Sequence, residues 1–237
     1  MYDVIIPARD EERTVAQVVL AAMQARGVSN VIVVDDHSAD GTAQAARDAG
    51  ARVIGSGGRH DKALALATGV AASTARTIVF FDADIIGVRP EHIEALAEPV
   101  LQGYSMCAGL VDYGPRNAVY LRLPPISGMR AIRREIFDSI PERKLDRYNI
   151  EALLNSTVVR NNMRSAIRVL SGTTHRSKVA KRGWRTGLLQ HARMVRQLIS
   201  CYGLSVIRNY VGYIRRRDVL VPTRKGTSAV VADLPDW

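Results

Sequence analysis

Three short runs, Val4-Ile5-Ile6, Val31-Ile32-Val33-Val34 and Thr77-Ile78-Val79-Phe80-Phe81, are β-branched or aromatic throughout, and each gives way at once to polar residues. Apolar runs of this length without alternation read as strands buried on both faces, as in a parallel sheet. Between the first two, from Glu11 to Arg26, the residues Val15, Val18, Val19, Ala22 and Met23 recur at helical spacing until Gly27 stops the pattern. A second helical pattern follows Asp40-Gly41-Thr42, a weak strand at Arg52-Val53-Ile54 follows Gly50, and a third helix runs from Lys62 to about Ser73. This β-α-β-α-β alternation predicts a doubly wound α/β sheet with ligands at the carboxyl ends of its strands. Pro90 opens a helix through Gln102, and Tyr104 to Val111 reads as a strand. Pro124-Pro125 is a break before Ser127-Gly128, which reads as leading into a helix, and a further helix over 149–156 and a strand over 165–170 complete the domain. Beyond Gly183, Leu188, Ala192, Val195, Ile199, Tyr202, Val206, Tyr210 and Ile214 step by three or four residues. Residues 183–237 are therefore expected to form an amphipathic helical extension ending in a loose tail.

The length of 237 residues suits one sizeable domain with such an extension. A hydrophobic share of 47% against 24% charged residues argues for a globular chain and against disorder. The formal charge of +10 would attract phosphates on a nucleotide, a nucleic acid or an anionic lipid, and charge alone does not choose among them. Cys107 and Cys201 make no disulfide framework and no zinc-type pairing, which suits a reducing cytosol. The start, Met1-Tyr2-Asp3-Val4-Ile5-Ile6-Pro7, lacks the features of a signal peptide, and no stretch approaches the roughly 20 apolar residues of a membrane span. The expected location is the cytoplasm, with peripheral attachment to the cytoplasmic membrane face left open. For the basic, amphipathic C-terminal region three readings stay open: packing on the domain, pairing in a homodimer, or lying on an anionic membrane surface.

Three acidic clusters, Asp10-Glu11-Glu12, Asp35-Asp36 and Asp82-Ala83-Asp84, each follow a strand of the inferred sheet, so they converge on one edge. Carboxylates so placed suit a hard divalent cation, Mg2+ or Mn2+, that neutralises phosphate charge. In an extended backbone Asp82 and Asp84 would share one face, whereas a bend after the strand would send them to separate tasks. Helix capping is the plainer alternative for Asp10, Glu11 and Asp40.

The order of these motifs resembles the family 2 glycosyltransferases with the GT-A fold. The residues that carry the resemblance are Val4-Ile5-Ile6-Pro7-Ala8-Arg9-Asp10-Glu11-Glu12, Val33-Val34-Asp35-Asp36-His37-Ser38-Ala39-Asp40-Gly41-Thr42, Lys62-Ala63-Leu64-Ala65 with Gly69, and Phe81-Asp82-Ala83-Asp84. The resemblance implies a nucleotide-diphosphate-sugar donor, UDP- rather than GDP-linked. It implies a nucleoside pocket lined by Pro7, Ala8, Arg9, Glu11 and Asp36, and a diphosphate contact at Lys62. It further implies that Asp82, next to Ala83, meets ribose or metal and that Asp84 binds the metal. Residues 1–182 would then form the catalytic domain, with a nucleotide-binding half to about residue 110 and an acceptor half from 111 to 182. The family usually has Gly-Lys-Gly where this chain has Asp61-Lys62-Ala63.

Ser127-Gly128-Met129-Arg130-Ala131 resembles the family segment that closes over donor sugar and acceptor, which makes Gly128 a donor-site residue. Arg147-Tyr148-Asn149-Ile150-Glu151 is similar to the acidic acceptor-side motif of glucosyl-3-phosphoglycerate synthase-like and polyprenyl-phosphate sugar transferases. There Glu151 would deprotonate an acceptor hydroxyl or, with a phosphate acceptor, orient substrate. His175 matches a histidine that completes the metal site in the former group, and Arg176 begins a basic segment able to cover the diphosphate. The acceptor implied is a hydroxyl or phosphate, on a lipid-linked polyprenyl phosphate or a small phosphorylated molecule. Two other functions bear weighing. A sugar-phosphate nucleotidyltransferase would carry a glycine-rich basic loop after the first strand, where this chain has Pro7-Ala8-Arg9-Asp10-Glu11-Glu12. A nucleic-acid-binding protein would not set acids at every strand end, so no nucleic-acid partner is expected.

Overall fold

The apolar runs become neighbouring parallel strands: β1 (Tyr2–Ala8) lies between β2 (Val28–Asp35) and β4 (Thr77–Phe80), and β3 (Arg52–Gly55) continues beyond β2. The computed structural model describes residues 1–57, 61–122, 125, 127–141, 150–175, 212–215, 217–222 and 228–231. On the far side of β4 the sheet continues through β7 (Arg130–Arg133), β6 (Met106–Val111), β8 (Ser165–Leu170), β10 (Arg217–Pro222) and β11 (Ser228–Val231). Of these, β7 is antiparallel to both neighbours and β11 to β10, while β6, β8 and β10 are mutually parallel, so the sheet is mixed. A separate ribbon pairs β5 (Ile85–Ile86) antiparallel with β9 (Thr174–His175).

Alternate side chains of each strand enter opposite cores, as the two-residue strand period demands. Val4 and Ile6 of β1 pack with α1 (Val15–Gln24), α2 (Thr42–Asp48) and α4 (Pro90–Leu101) on one face. Ile5 packs with α3 (Lys62–Ala71), α6 (Arg134–Asp138) and α7 (Ile150–Arg160) on the other. All three β1 side chains are fully buried, and each such burial contributes about 1.5–3 kcal/mol. The close seat of α3 requires Gly69, because a Cβ there would stand 2.4 Å from Ile5 Cγ2 and 3.1 Å from Val34 Cγ2.

The predicted strand over 104–111 is β6, followed by the short helix α5 (Asn117–Tyr120), and the predicted strand over 165–170 is β8. Elsewhere the structure departs from the hydrophobic pattern. The first helix starts at Val15 rather than Glu11, because Thr14, with φ −124°, is outside helical geometry and the residues from Glu11 to Thr14 form a turn closed by the Thr14 amide on the Glu11 carbonyl. The stretch after Ser127-Gly128 is the strand β7 before it is the helix α6; arginines at both of its ends hid a strand whose Ala131 and Ile132 are fully buried. Helix α7 runs on to Arg160 because Thr157 and Val158 are buried despite their modest helix propensity. The expected loose tail includes Ser228–Val231, which pairs with β10 as the sheet's edge strand. Residues 212–215 are helical, whereas most of the predicted amphipathic stretch, and with it the dimer and membrane readings, lies outside the described residues. Among the described residues no helix is long and apolar enough to cross a membrane.

The packing at Gly69 makes a direct prediction. Gly69→Ala should lower the unfolding free energy by roughly 1–2 kcal/mol, since overpacking outweighs the gain of alanine over glycine in a helix. Urea unfolding followed by far-UV circular dichroism checks this, and an equal or higher midpoint would contradict the close approach.

Candidate functional site

The chain builds β1, β2 and β3 outward in one direction and then returns to place β4 on the other side of β1. Such a reversal leaves a crevice at the carboxyl ends of the two strands. Pro7 widens it. The Ile5 carbonyl accepts from Phe81 N–H on the β4 side and the Ala8 carbonyl accepts from Asp36 N–H on the β2 side. Pro7, in step with Ile5, therefore turns its missing N–H toward β4, which has already ended at Phe80.

The two loops on the β2 side of this crevice are tied to each other. Asp10, at φ 55°, accepts from Ala39 N–H at 2.8 Å, and its own N–H donates to Ser38 Oγ at 3.1 Å. Glu11 N–H donates to Thr42 Oγ1 at 2.8 Å. Asp40 accepts from Glu12 N–H at 3.2 Å and from Thr42 N–H, the first residue of α2, at 3.0 Å. The N-cap of α2 is Gly41, without a side-chain cap, and Asp40 holds the first amide of the helix from the position before it, while Asp10 clamps the neighbouring loop instead of α1. Asp36 is 7% exposed, and Ser56 Oγ donates to it at 2.6 Å, which fixes a carboxylate at the floor of the crevice.

Lys62 stands at the centre. Asp61 is the N-cap of α3, accepting from the amides of Ala63 and Leu64 at 2.8 and 3.4 Å, so the departure from Gly-Lys-Gly supplies a cap. Lys62, the first residue of α3, sends Nζ to Asp82 Oδ1 at 2.7 Å and to Glu151 Oε1 at 3.5 Å. Its side chain is 35% exposed, against 15% for Asp82 and 11% for Glu151. Burial alone would pull the ammonium pKa down, but the charges of Asp82 and Glu151 and the hydrogen bond to Asp82 outweigh it and raise the pKa. Gly128 closes over this pair: a Cβ at that position would lie 2.2 Å from Lys62 Nζ and 2.5 Å from Asp82 Oδ1.

After Asp82 the chain bends, and Asp84 serves a different partner. The β5–β9 ribbon sets Ile85 opposite His175, bringing His175 Nδ1 to 3.5 Å from Asp84 Oδ1. Hydrogen bonding to Asp84 raises the His175 pKa, against the effect of burial and with help from the Asp84 charge. Two anchors hold the turn that carries His175. Asp112 accepts from Gly172 N–H at 3.0 Å, and its N–H donates to the Thr173 carbonyl at 3.0 Å. His92 of α4 accepts from Arg89 N–H at Nδ1 and turns Nε2 to the Ser171 carbonyl, both at 3.1 Å. That pairing makes His92 a neutral imidazole protonated on Nε2.

The structure therefore brings together Lys62, Asp82, Gly128 and Glu151, and sets Asp36 and the pair Asp84 and His175 at strand ends of the same sheet edge. Ala8 and Ala83 are buried beneath them, and Arg9 turns to Asp10 at 3.8 Å. Asp82 is engaged by Lys62, and among the described residues no three of His, Cys, Asp or Glu close on one point that could hold an ion. Arg176 and Arg147 lie outside the described residues. Ser56, Asp112, Arg130 and Asn155 were not identified from sequence. Of these only Arg130 left a signal, a lone charge inside the apolar stretch Met129-Arg130-Ala131-Ile132.

Residues 3–154 match the family described as Glycosyl transferase family 2, a span from β1 into α7 that holds Asp36, Lys62, Asp82, Asp84, Gly128 and Glu151 and stops short of Asn155 and His175. The chain is 36% identical over 152 residues to the 4,4'-diaponeurosporenoate glycosyltransferase of Staphylococcus aureus strain MRSA252, and the alignment covers 61% of this chain. That is 40% of the relative, so the chain spans about two fifths of the length of the curated relatives it matches. Among solved structures it resembles glucosyl-3-phosphoglycerate synthase from Mycobacterium tuberculosis. The complex of that protein with Mg2+ and UDP gives a TM-score of 0.70 at 26% identity, covering 84% of this chain and 78% of the other. The complex with Mn2+, UDP and glucosyl-3-phosphoglycerate gives 0.69 at 28%, covering 87% and 79%.

The anchor at His92 has a pH signature. Burial, aided by the charge of Arg89, depresses its pKa below the ordinary 6.5. As pH falls through that value the unfolded chain gains a proton that the folded imidazole refuses, so stability present above it is lost. Between about pH 7.5 and about pH 5 the parent should lose more unfolding free energy in urea titrations than His92→Gln does. Equal losses would refute a neutral His92.

Proposed function

The chain belongs to glycosyl transferase family 2, and on that footing we propose that it moves a sugar from a UDP-sugar, with Mg2+ or Mn2+ bound, to a hydroxyl or phosphate of an anionic acceptor, small or lipid-linked. The observation that carries this reading is the meeting of Asp84 and His175 across the β5–β9 ribbon, beside the Lys62–Asp82 pair. A carboxylate and an imidazole that face each other, with side chains 25% and 43% exposed, are a donor set that fits either ion, leaving its other positions to diphosphate oxygens and water. An ion held there supplies Lewis-acid neutralisation of the charge on the departing UDP.

The remaining roles fall to the chain itself. Asp36, oriented by Ser56, and the backbone around Pro7 to Glu11 receive the nucleoside. Asp82 is assigned to the ribose, and its hold on Lys62 keeps the ammonium aimed at the diphosphate, where a fixed positive charge favours the leaving group. Glu151, across Lys62 from Asp82, takes the proton of an attacking hydroxyl, or orients substrate where the acceptor is already a phosphate. Gly128 leaves the approach to Lys62 clear for the donor. The UDP-bound structural neighbours support the choice of uracil, and the net charge of +10 supports an anionic acceptor.

Thermal unfolding in Mn2+ tests the reading. UDP at roughly 100 times its Kd should raise the transition by about 5–10 °C, with GDP weaker and single-stranded DNA inert. Stabilisation by DNA but by neither nucleotide would overturn it. Asp84→Ala should keep the fold and lose about 100-fold or more in metal-dependent UDP-sugar turnover. Undiminished turnover would remove Asp84 from the metal site.

A further inference from the structure

Arg130 opens β7 with a side chain only 1% exposed, among the largest fully buried in the protein. Its guanidinium donates to acceptors on two separate elements. Nη2 donates to the Ser127 carbonyl, next to Gly128; Nη1 reaches the Glu151 carbonyl and Asn155 Oδ1 in α7, both at 3.3 Å, and Met106 Sδ at 3.8 Å. Asn155 then donates from Nδ2 to the Pro125 carbonyl at 3.2 Å, closing a loop of contacts between the segment before β7 and the first turns of α7. An apolar side chain would fill this space without desolvating a charge. What it would lack is a rigid planar fork able to hold several carbonyl oxygens at once.

We propose that Arg130, together with Asn155, is a positioning residue for sugar transfer: a buried staple that sets Gly128 and Glu151 at fixed separation on either side of Lys62. This rests on the glycosyltransferase reading above. Neither residue is assigned contact with substrate. Both segments that flank the Lys62 ammonium hang on the same guanidinium, so slack there moves Glu151 and Gly128 relative to each other while the crevice at Asp36, which receives the nucleoside, stays as it is. Loss of the staple therefore falls more heavily on turnover than on UDP affinity, which Asp36 and the Lys62–Asp82 pair, neither bonded to Arg130, sustain. With Lys62, Asp82 and Glu151 the staple also completes a cluster of two cations and two carboxylates, so the buried charge is balanced locally.

The test compares Arg130→Lys, which keeps the charge and loses the fork, Asn155→Ser, which keeps Arg130, and the double variant. Each is measured for thermal midpoint, UDP affinity in Mn2+ by calorimetry, kcat and KM, and hydrogen exchange of peptides covering 125–130 and 150–156. The expected result is a folded protein with UDP affinity within about threefold of the parent and kcat lower by about tenfold or more, the scale on which small misplacements of reacting groups act. Exchange should quicken in both peptides from either single change, and the double variant should be no slower than the worse single one, as for groups acting as a unit. Folded variants with parental exchange and kcat within about twofold overturn the staple, as does a loss of UDP affinity in proportion to kcat. Should Arg130→Lys fail to fold, Asn155→Ser decides by the same measures. A parent that turns over no UDP-sugar refutes the donor reading, and the exchange of the two peptides then decides the staple by itself.

Discussion

The site depends on one ammonium group held between two carboxylates. Lys62 begins α3, Asp82 follows β4 and Glu151 begins α7, so a single hydrogen bond at 2.7 Å and an ion pair at 3.5 Å tie together three elements far apart in sequence. The two carboxylates are largely shielded from water, and with the buried Arg130 beside them the group of two cations and two carboxylates is neutral. It is usable because Lys62 keeps a third of its surface open and Gly128 withholds the methyl group that would cover it.

That cluster can form only because the sheet sorts its side chains between two cores. Helices α3, α6 and α7 share the face to which Ile5, Ile78 and Phe80 point, and this places Lys62 and Glu151 over the same strand ends. Helices α1, α2 and α4 fill the other face, from which α4 reaches through His92 to the turn that carries His175. The two halves of the site, the Lys62 cluster and the Asp84–His175 pair, are thus supported from opposite sides of one sheet. They meet at the bend between Asp82 and Asp84.

The half of the chain that builds β1 to β4 was the more legible in sequence. Its strands are uninterrupted β-branched runs and its acids stand directly at their ends, so periodicity and position led to Asp36, Asp82 and Asp84 together. The half from β5 onward was harder to read because its packing rule is different. Strand β7 buries an arginine, helix α7 buries Glu151, Asn155 and Thr157, and β5 and β9 are two-residue strands, too short for any alternation. His175 could be placed by resemblance but not by pattern, since the contact that brings it to Asp84 is a cross-strand pair. Arg130 showed only as a lone charge in an apolar stretch and Asn155 not at all, because most of their partners are main-chain carbonyls, and carbonyls have no letter in the sequence.

Pro7 acts on the crevice in a way that no side chain of the site does. A strand end with a free N–H invites a neighbour to pair with it, and a sheet that zipped up by one more residue there would draw β4 against β1 and shut the gap. The imino nitrogen removes that option covalently. The rung that would continue β1 onto β4 therefore lacks its donor however the surrounding core packs. That gap is carried by the residue itself, not by any contact the residue makes.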